Sequence, residues 1–416
     1  MKIRSITYFI NPKWPLDEGA LTQAGEFVGA ARLAFVVAGY EVQSARLATV
    51  PFPELIPSLD RSEVIEFAQQ LERIARPLGF EYIAIGPALP DDLRAYALIP
   101  EVLAATENVF ASAVMSSPSS GVSLPAVRAC AEIIQCLAPQ DGNGFANLYF
   151  AALANVSAGA PFFPAAYHMG DNPAFALAVE SADLAVEAFT QAKSLAEARQ
   201  NLIAAIETHA AKLSNIAQKW TRRSADGQTP LFGGIDFSLA PFPEESLSLG
   251  TAFERLGVPA VGLHGSLAAA AIIADTIDKA EFKRTGFSGL MLPVLEDDTL
   301  ATRAGQGVLT LKDMLLYSAV CGTGLDTIPL PGDTTADQLT PVLLDLAALA
   351  RRLNKPLTAR LMPIPGKQAG DRTNFDFPFF ANSRVLALDV EPLQGHLAGD
   401  EAFQLSPRNH HSLVSA

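Results

Sequence analysis

The chain is poor in cysteine, tryptophan and basic residues, with Cys 3, Trp 2 and Lys+Arg 30 against Asp+Glu 44 in 416 residues. Three cysteines in so long a chain build no disulfide framework. Cys130 and Cys136 fall six apart in a helix expected over 124–138, so they lie on different faces and share neither a disulfide nor a metal. The net charge of −14 argues against nucleic acid, which is bound by trading phosphate counterions for Lys and Arg. It argues equally against an anionic membrane surface. The N-terminal apolar run 6–10 stops at Asn11-Pro12-Lys13, short of the roughly 7–15 residues of a signal-peptide core. No Gly/Ser linker, low-complexity tract or nucleotide fingerprint occurs.

Residues 145–169 contain no Asp, Glu, Lys or Arg and are long enough to cross a bilayer. Asn147, Asn155, Ser157, Gly159, Pro161 and Pro164 interrupt them, which fits a buried strand followed by an apolar loop. The expectation is a soluble protein of the cytoplasm.

A hydrophobic content of 49% provides for a large core. Strands are expected at 3–10, 41–48, 82–86, 109–115, 147–154, 234–239, 260–263, 287–292, 325–330, 358–364 and 384–390. Helices are expected at 18–38, 62–76, 91–106, 124–138, 174–190, 195–220, 245–256, 267–282, 311–320 and 336–353. The strands are apolar throughout, as burial on both faces requires. The alternation predicts an α/β parallel sheet or barrel. The one internal seam is 221–227 (TRRSADG), which divides two halves of a single domain over 1–390, and 391–416 reads as a polar tail.

Ligands in such folds gather beyond the carboxyl ends of strands. In 161–172 (PFFPAAYHMGDN), His168 reads as a general base or metal ligand, or as a loop histidine held by a backbone carbonyl. In 233–243 (GGIDFSLAPFP), Asp236 and Ser238 point the same way. A carboxylate in an apolar strand is paired, hydrogen-bonded or protonated, which suits acid/base work, a divalent metal such as Mg²⁺, or a structural bond to an amide or arginine. In 262–266 (GLHGS), His264 and the expected N-cap Ser266 offer an anion site or simply a capped turn. In 318–333 (SAVCGTGLDTIPLPGD), Cys321 is a candidate nucleophile or a small buried wall residue, and Asp326 can join Asp236. In 363–373 (PIPGKQAGDRT), Lys367 and Asp371 belong to a charged loop that clamps an anion or is merely solvated. The run Glu296-Asp297-Asp298 reads as a solvated turn or N-cap and not as a metal site.

Five strings carry a resemblance: RSITYFI, PFFPAAYH, GGIDFSLAPFP, FSGLMLPVLED and SAVCGTGLDTIPLPGD. Over Met1 to about Val390 the chain is similar to the family of domain of unknown function 711, whose relatives are often labelled pyruvate formate-lyase-like. The resemblance implies a glycyl-radical-enzyme-like barrel of about ten strands, in two parallel halves running antiparallel to each other. It does not imply radical chemistry. Those enzymes carry Arg-Val-x-Gly-aromatic, whereas this chain has Ala387 for the glycine and Leu388 for the aromatic in Arg384-Val385-Leu386-Ala387-Leu388.

The expected function is therefore an enzyme acting on a small polar or anionic metabolite, by acid/base or metal-assisted chemistry. Asp236, His168 and Cys321 are its catalytic candidates, and Ser238, His264, Ser266, Asp326, Lys367 and Asp371 its binding candidates. The competing expectation is a non-catalytic binding or assembly protein on a barrel that has lost radical function. In either case a homo-oligomer is expected.

Overall fold

A computed structural model describes residues 1–221, 229–320 and 322–407. The seam at 221–227 falls, apart from Thr221, outside the described residues, and so does Cys321.

Eleven strands form one mixed sheet surrounded by helices. They are β1 (Lys2–Ile10), β2 (Val42–Thr49), β3 (Tyr82–Ala88), β4 (Val109–Ser117), β5 (Gly121–Ser123), β6 (Phe150–Ala154), β7 (Ala174–Glu180), β8 (Leu231–Ala240), β9 (Gly324–Pro331), β10 (Leu357–Ile364) and β11 (Ala402–Phe403). The order is β8-β7-β1-β2-β3-β4-β6-β10-β9, with β5 on β4 and β11 on β5. β1, β2, β3, β4 and β6 are mutually parallel. β7 and β10 flank that set antiparallel, and each carries a parallel partner, β8 and β9. The ladder is open at β8 and β9, so the expected closed barrel is not formed by regular strands. Between those edges, 287–292 forms no regular strand; Leu290 bridges Leu239 in parallel, and Pro293, just past that segment, bridges Asp326.

Helices cover one face of the sheet. The helix Arg61–Ala75 shows why they form: Asp60 accepts from the Glu63 amide as N-cap, and Val64, Phe67, Ala68, Leu71 and Ala75 make one buried stripe. The helix Ala336–Leu353 opens on a Thr335/Gln338 capping box and ends at left-handed Asn354. Ile3, Ile6, Leu47, Ile83, Met115 and Phe150 meet these helices in the main core. Register puts Thr7, Arg46 and Tyr82 side by side on the opposite face, and Asp236 beside Ala178. The loop Pro161–Ala166 fills that second face, with Phe162 and Phe163 buried.

Several expectations are corrected. Residues 174–190, expected as one helix, are β7 followed by the helix Ala182–Gln191. Pairing of 174–180 with both β1 and β8 outweighs the helix propensity of an alanine-rich run. Residues 260–263 and 384–390 form isolated bridges only. Residues 298–305 form the helix Asp298–Gly305. Residues 391–407 are exposed or half-buried and run along the surface, with β11 paired to β5 and Arg128 donating to Gly399 O at 2.7 Å. The uncharged stretch 145–169 holds a short 3-10 turn, β6 and the inner loop, with no membrane-length helix. Among the described residues one helix, Glu18–Val37, is long and apolar enough to cross a membrane by length and composition. Its Leu21, Ala24, Val28, Ala31 and Phe35 are buried against the core.

Candidate functional site

Three strands each contribute one arginine to a cavity of about 110 Å³ on the sheet face opposite the helices: Arg4 of β1, Arg46 of β2 and Arg360 of β10. Two of the three sit at irregularities in the ladder. The β1–β7 register shifts between Ile3 and Ser5, leaving Arg4 as the extra residue. The β9–β10 register shifts between Ala359 and Leu361, so Arg360 faces both Asp326 and Thr327, and Thr327 has φ 43°. Such bulges re-aim side chains that a regular ladder would point elsewhere.

The arginines are not equivalent. Glu296, buried at the head of a helix-leading turn, accepts from Arg4 Nη2 at 2.5 Å and from Arg360 Nη2 at 2.8 Å. Arg360 Nε also donates to Asp326 Oδ1. Burial pushes the Glu296 carboxyl up, but Arg4 and Arg360 outweigh it and hold the group below its ordinary value. Among the described residues Arg46 has no hydrogen-bonded carboxylate, and Glu296 attracts it only through space. Its Nε donates to Ser44 Oγ at 2.9 Å, and its guanidinium lies 5.5 Å from the Tyr82 ring centre and 5.1 Å from that of Phe163. Burial, then the positive charge of Arg4, lower its pKa to about 9, so it remains a cation at neutral pH. Glu180, at the end of β7, lines the same cavity and accepts from Gln43 Nε2 at 2.6 Å. Burial raises its pKa. The rim is aromatic: Phe242 and Phe379 stand 5.9 Å apart, and Phe377 lies 5.3 Å from Phe379.

Three of the residues singled out from sequence reach this neighbourhood. Asp326 does so through Arg360, while Asp236 and Ser238 line a neighbouring void of about 10 Å³ that shares Arg4 and Arg46. Asp236 Oδ1 accepts from Ser238 Oγ at 2.5 Å and from the Ser288 amide at 2.9 Å, and Oδ2 accepts from the Phe287 amide at 2.9 Å. Both oxygens therefore anchor the 285–289 turn. Burial nevertheless raises the Asp236 pKa, with these hydrogen bonds opposing it.

The remaining candidates lie elsewhere. His168 is buried against Phe9, its amide donates to Thr49 O at 2.8 Å, its Nε2 has no partner, and burial lowers its pKa. It lines neither arginine-bearing space. His264 is exposed. Ser266 is not an N-cap: Gly265, at φ 106°, holds that position, and Ser266 Oγ closes the turn by donating to Leu263 O at 2.8 Å and accepting from the Gly262 amide at 3.0 Å. Asp371 is exposed and accepts from the Gln368 amide at 2.8 Å, while Lys367 is half-buried, and neither lines the cavity. Of the two readings of 296–298, solvated turn or N-cap, the N-cap describes Asp297, while Glu296 is neither. Glu296 is in the arginine network, and Asp297 is a fully buried N-cap that also holds Ser248, Leu249 and Gly250.

Sequence reasoning missed Arg4, Arg46, Arg360, Glu180 and the aromatic rim. The signal was present, as an arginine inside each of three largely buried strands. Among the described residues, no group of three or more His, Cys, Asp or Glu side chains is placed to hold a metal ion.

A family profile described as "Uncharacterised ACR (DUF711)" matches residues 1–383. The chain belongs to the DUF711 family. DUF711 relatives under the name "UPF0210 protein" include one from Pyrobaculum arsenaticum, 33% identical over 345 residues, covering 80% of this chain and 76% of the relative. Another, from Acetivibrio thermocellus, is 29% identical over 349 residues, covering 81% and 77%. A third, from Neisseria meningitidis serogroup A, is 27% identical over 364 residues, covering 85% and 81%. The DUF711 match includes β1, β2, β9 and β10, and so all three cavity arginines.

Proposed function

We propose that this DUF711 protein is an enzyme that binds a small anionic metabolite in the arginine cavity and works on it by proton transfer. The observation that carries the reading is Arg46, a cation lining the cavity with no hydrogen-bonded carboxylate among the described residues while its two neighbours are neutralised by Glu296 and Asp326. Arg46 is half-buried, and desolvation with the neighbouring Arg4 charge outweighs the through-space attraction of Glu296, a cost that a ligand anion offsets. Glu180 is the proton-transfer group of this reading. It lines the cavity, and burial moves its pKa towards the range useful near neutral pH. Asp236, with both oxygens engaged, acts here as a positioning residue for the 285–289 turn.

A non-catalytic binding protein is the second reading, favoured by the fixed partners that already occupy Asp236, Asp326 and Glu296. Thermal-shift measurements with acetate, succinate and inorganic phosphate test the common premise. At least one anion raises the melting temperature of the wild type and not that of Arg46→Met. Proton NMR of saturating anion in deuterated buffer then separates the readings, because exchange or conversion of the anion requires an enzyme. An unchanged spectrum leaves a binding protein.

The pyruvate formate-lyase-like barrel belongs to the same proposal. Its support is the set of five parallel strands flanked by antiparallel β7 and β10, with 284–293 bridged in parallel to both β8 and β9. We extend the proposal to a single domain over 1–390, in the cytoplasm, assembled as a homo-oligomer. Exposed Leu33, Val36 and Val37 on the helix Glu18–Val37 support the assembly, which light scattering tests.

A further inference from the structure

We infer that the cavity selects a monocarboxylate carrying a compact, planar apolar body, and rejects dicarboxylates and phosphate. The inference rests on the anion-binding reading above and narrows its substrate class.

The charge pattern sets the head group. Arg4 and Arg360 share Glu296, and Arg360 also holds Asp326, which leaves Arg46 as the open cation of the three. Ser44 occupies its Nε, and Tyr82 and Phe163 pack at 5.5 and 5.1 Å, so the Nη amino groups are what remain for a ligand. One guanidinium edge matches one carboxylate through two parallel hydrogen bonds. A second negative charge on the ligand would share the cavity with Glu180 and Glu296 and find no free cation among the lining residues.

The walls set the body. The apolar lining includes Leu148, Pro241, Phe242, Phe377 and Phe379, with Phe110 against the Tyr82 and Phe163 rings. Phe242 and Phe379 meet edge to face at 82°, leaving ring faces and edges against which a flat group can pack. Phe379 is 39% exposed and stands at the mouth. The cavity holds about 110 Å³, less than the about 150 Å³ that encloses benzene, so it admits only a compact body, and a ring reaches out against Phe379.

Isothermal titration calorimetry on the full chain tests this with phenylacetate, acetate, succinate and inorganic phosphate as probes. Phenylacetate is expected to bind at least tenfold more tightly than each of the other three. Phe379→Ala is expected to weaken phenylacetate about fivefold and to leave acetate unchanged, and Arg46→Met to abolish both. Succinate or phosphate binding as tightly as phenylacetate, or loss of acetate and phenylacetate in equal measure on Phe379→Ala, overturns the selectivity while leaving the anion reading intact. Absence of binding by all four probes, or binding indifferent to Arg46→Met, overturns both. Because Phe379 is on the rim, its variant remains an informative test even where Arg46→Met fails to fold.

Discussion

Arg360 Nη2 lies 2.8 Å from Glu296 Oε1, with both side chains only 6% exposed. This buried pair joins β10 to the turn before the helix Asp298–Gly305, and through Arg4 it reaches β1 on the far side of the cavity. Removing one partner of such a pair leaves an uncompensated buried charge. Glu296→Ala should therefore cost about 3–5 kcal/mol of stability. Urea denaturation measures it, and an unchanged midpoint would mean that the arginines find other partners.

Gly286 has φ +61°, and a Cβ there would come 2.1 Å from Asp236 Oδ2. Gly366 has a similar φ of +72° with nothing within 4 Å. Gly366→Ala should cost only the backbone penalty, about 1–2 kcal/mol, whereas Gly286→Ala should cost clearly more because it also breaks the Asp236 anchor. Equal losses in paired denaturation curves would show that the 285–289 turn does not depend on Asp236.

Asp297 has its pKa raised to about 6 by burial, against the bonds it accepts from the Leu300 amide, Ser248 and the amides of Gly250 and Leu249. The folded state thus holds this proton more tightly than the unfolded chain does. Its contribution is fully present below the ordinary aspartate pKa and is lost as pH rises through about 6. The stability difference between wild type and Asp297→Asn should shift against the wild type between about pH 4 and 6. A difference constant over that window would contradict the assignment.

Much of the fold was legible because apolar periodicity records burial directly. The stripe of Arg61–Ala75 and the apolar cores of β1, β3 and β4 needed no tertiary information. β7 was not legible, since AFALAVE has helical composition and becomes a strand only by pairing with β1 and β8. Of the site, the pairing of Asp236 with Ser238 follows strand alternation and is seen as a 2.5 Å hydrogen bond, whereas Asp326 is held by Arg360. The site's cations were not found, because attention to loops beyond strand ends passes over arginines that bulges turn inward from within the strands. Glu296 was read as part of a solvated turn or N-cap because sequence neighbours gave no hint of Arg4 and Arg360 closing over it.

Glu180 is negative when ionised and shares the cavity with the proposed anion site. Burial raises its pKa, so lowering the pH neutralises it earlier than an ordinary glutamate and should strengthen phenylacetate binding. Glu180→Gln should bind phenylacetate at least as tightly as wild type at pH 8 and lose the pH dependence. Calorimetry between pH 5.5 and 8 checks this, and an unaltered pH profile in the variant would remove Glu180 from the site.

The most direct measurement is a crystal structure of the full chain soaked with phenylacetate. The account predicts a carboxylate on the Nη groups of Arg46, with the ring packed against Phe242 and Phe379. Density bound at another surface, or a carboxylate on Arg4 or Arg360 with Glu296 displaced, would contradict it.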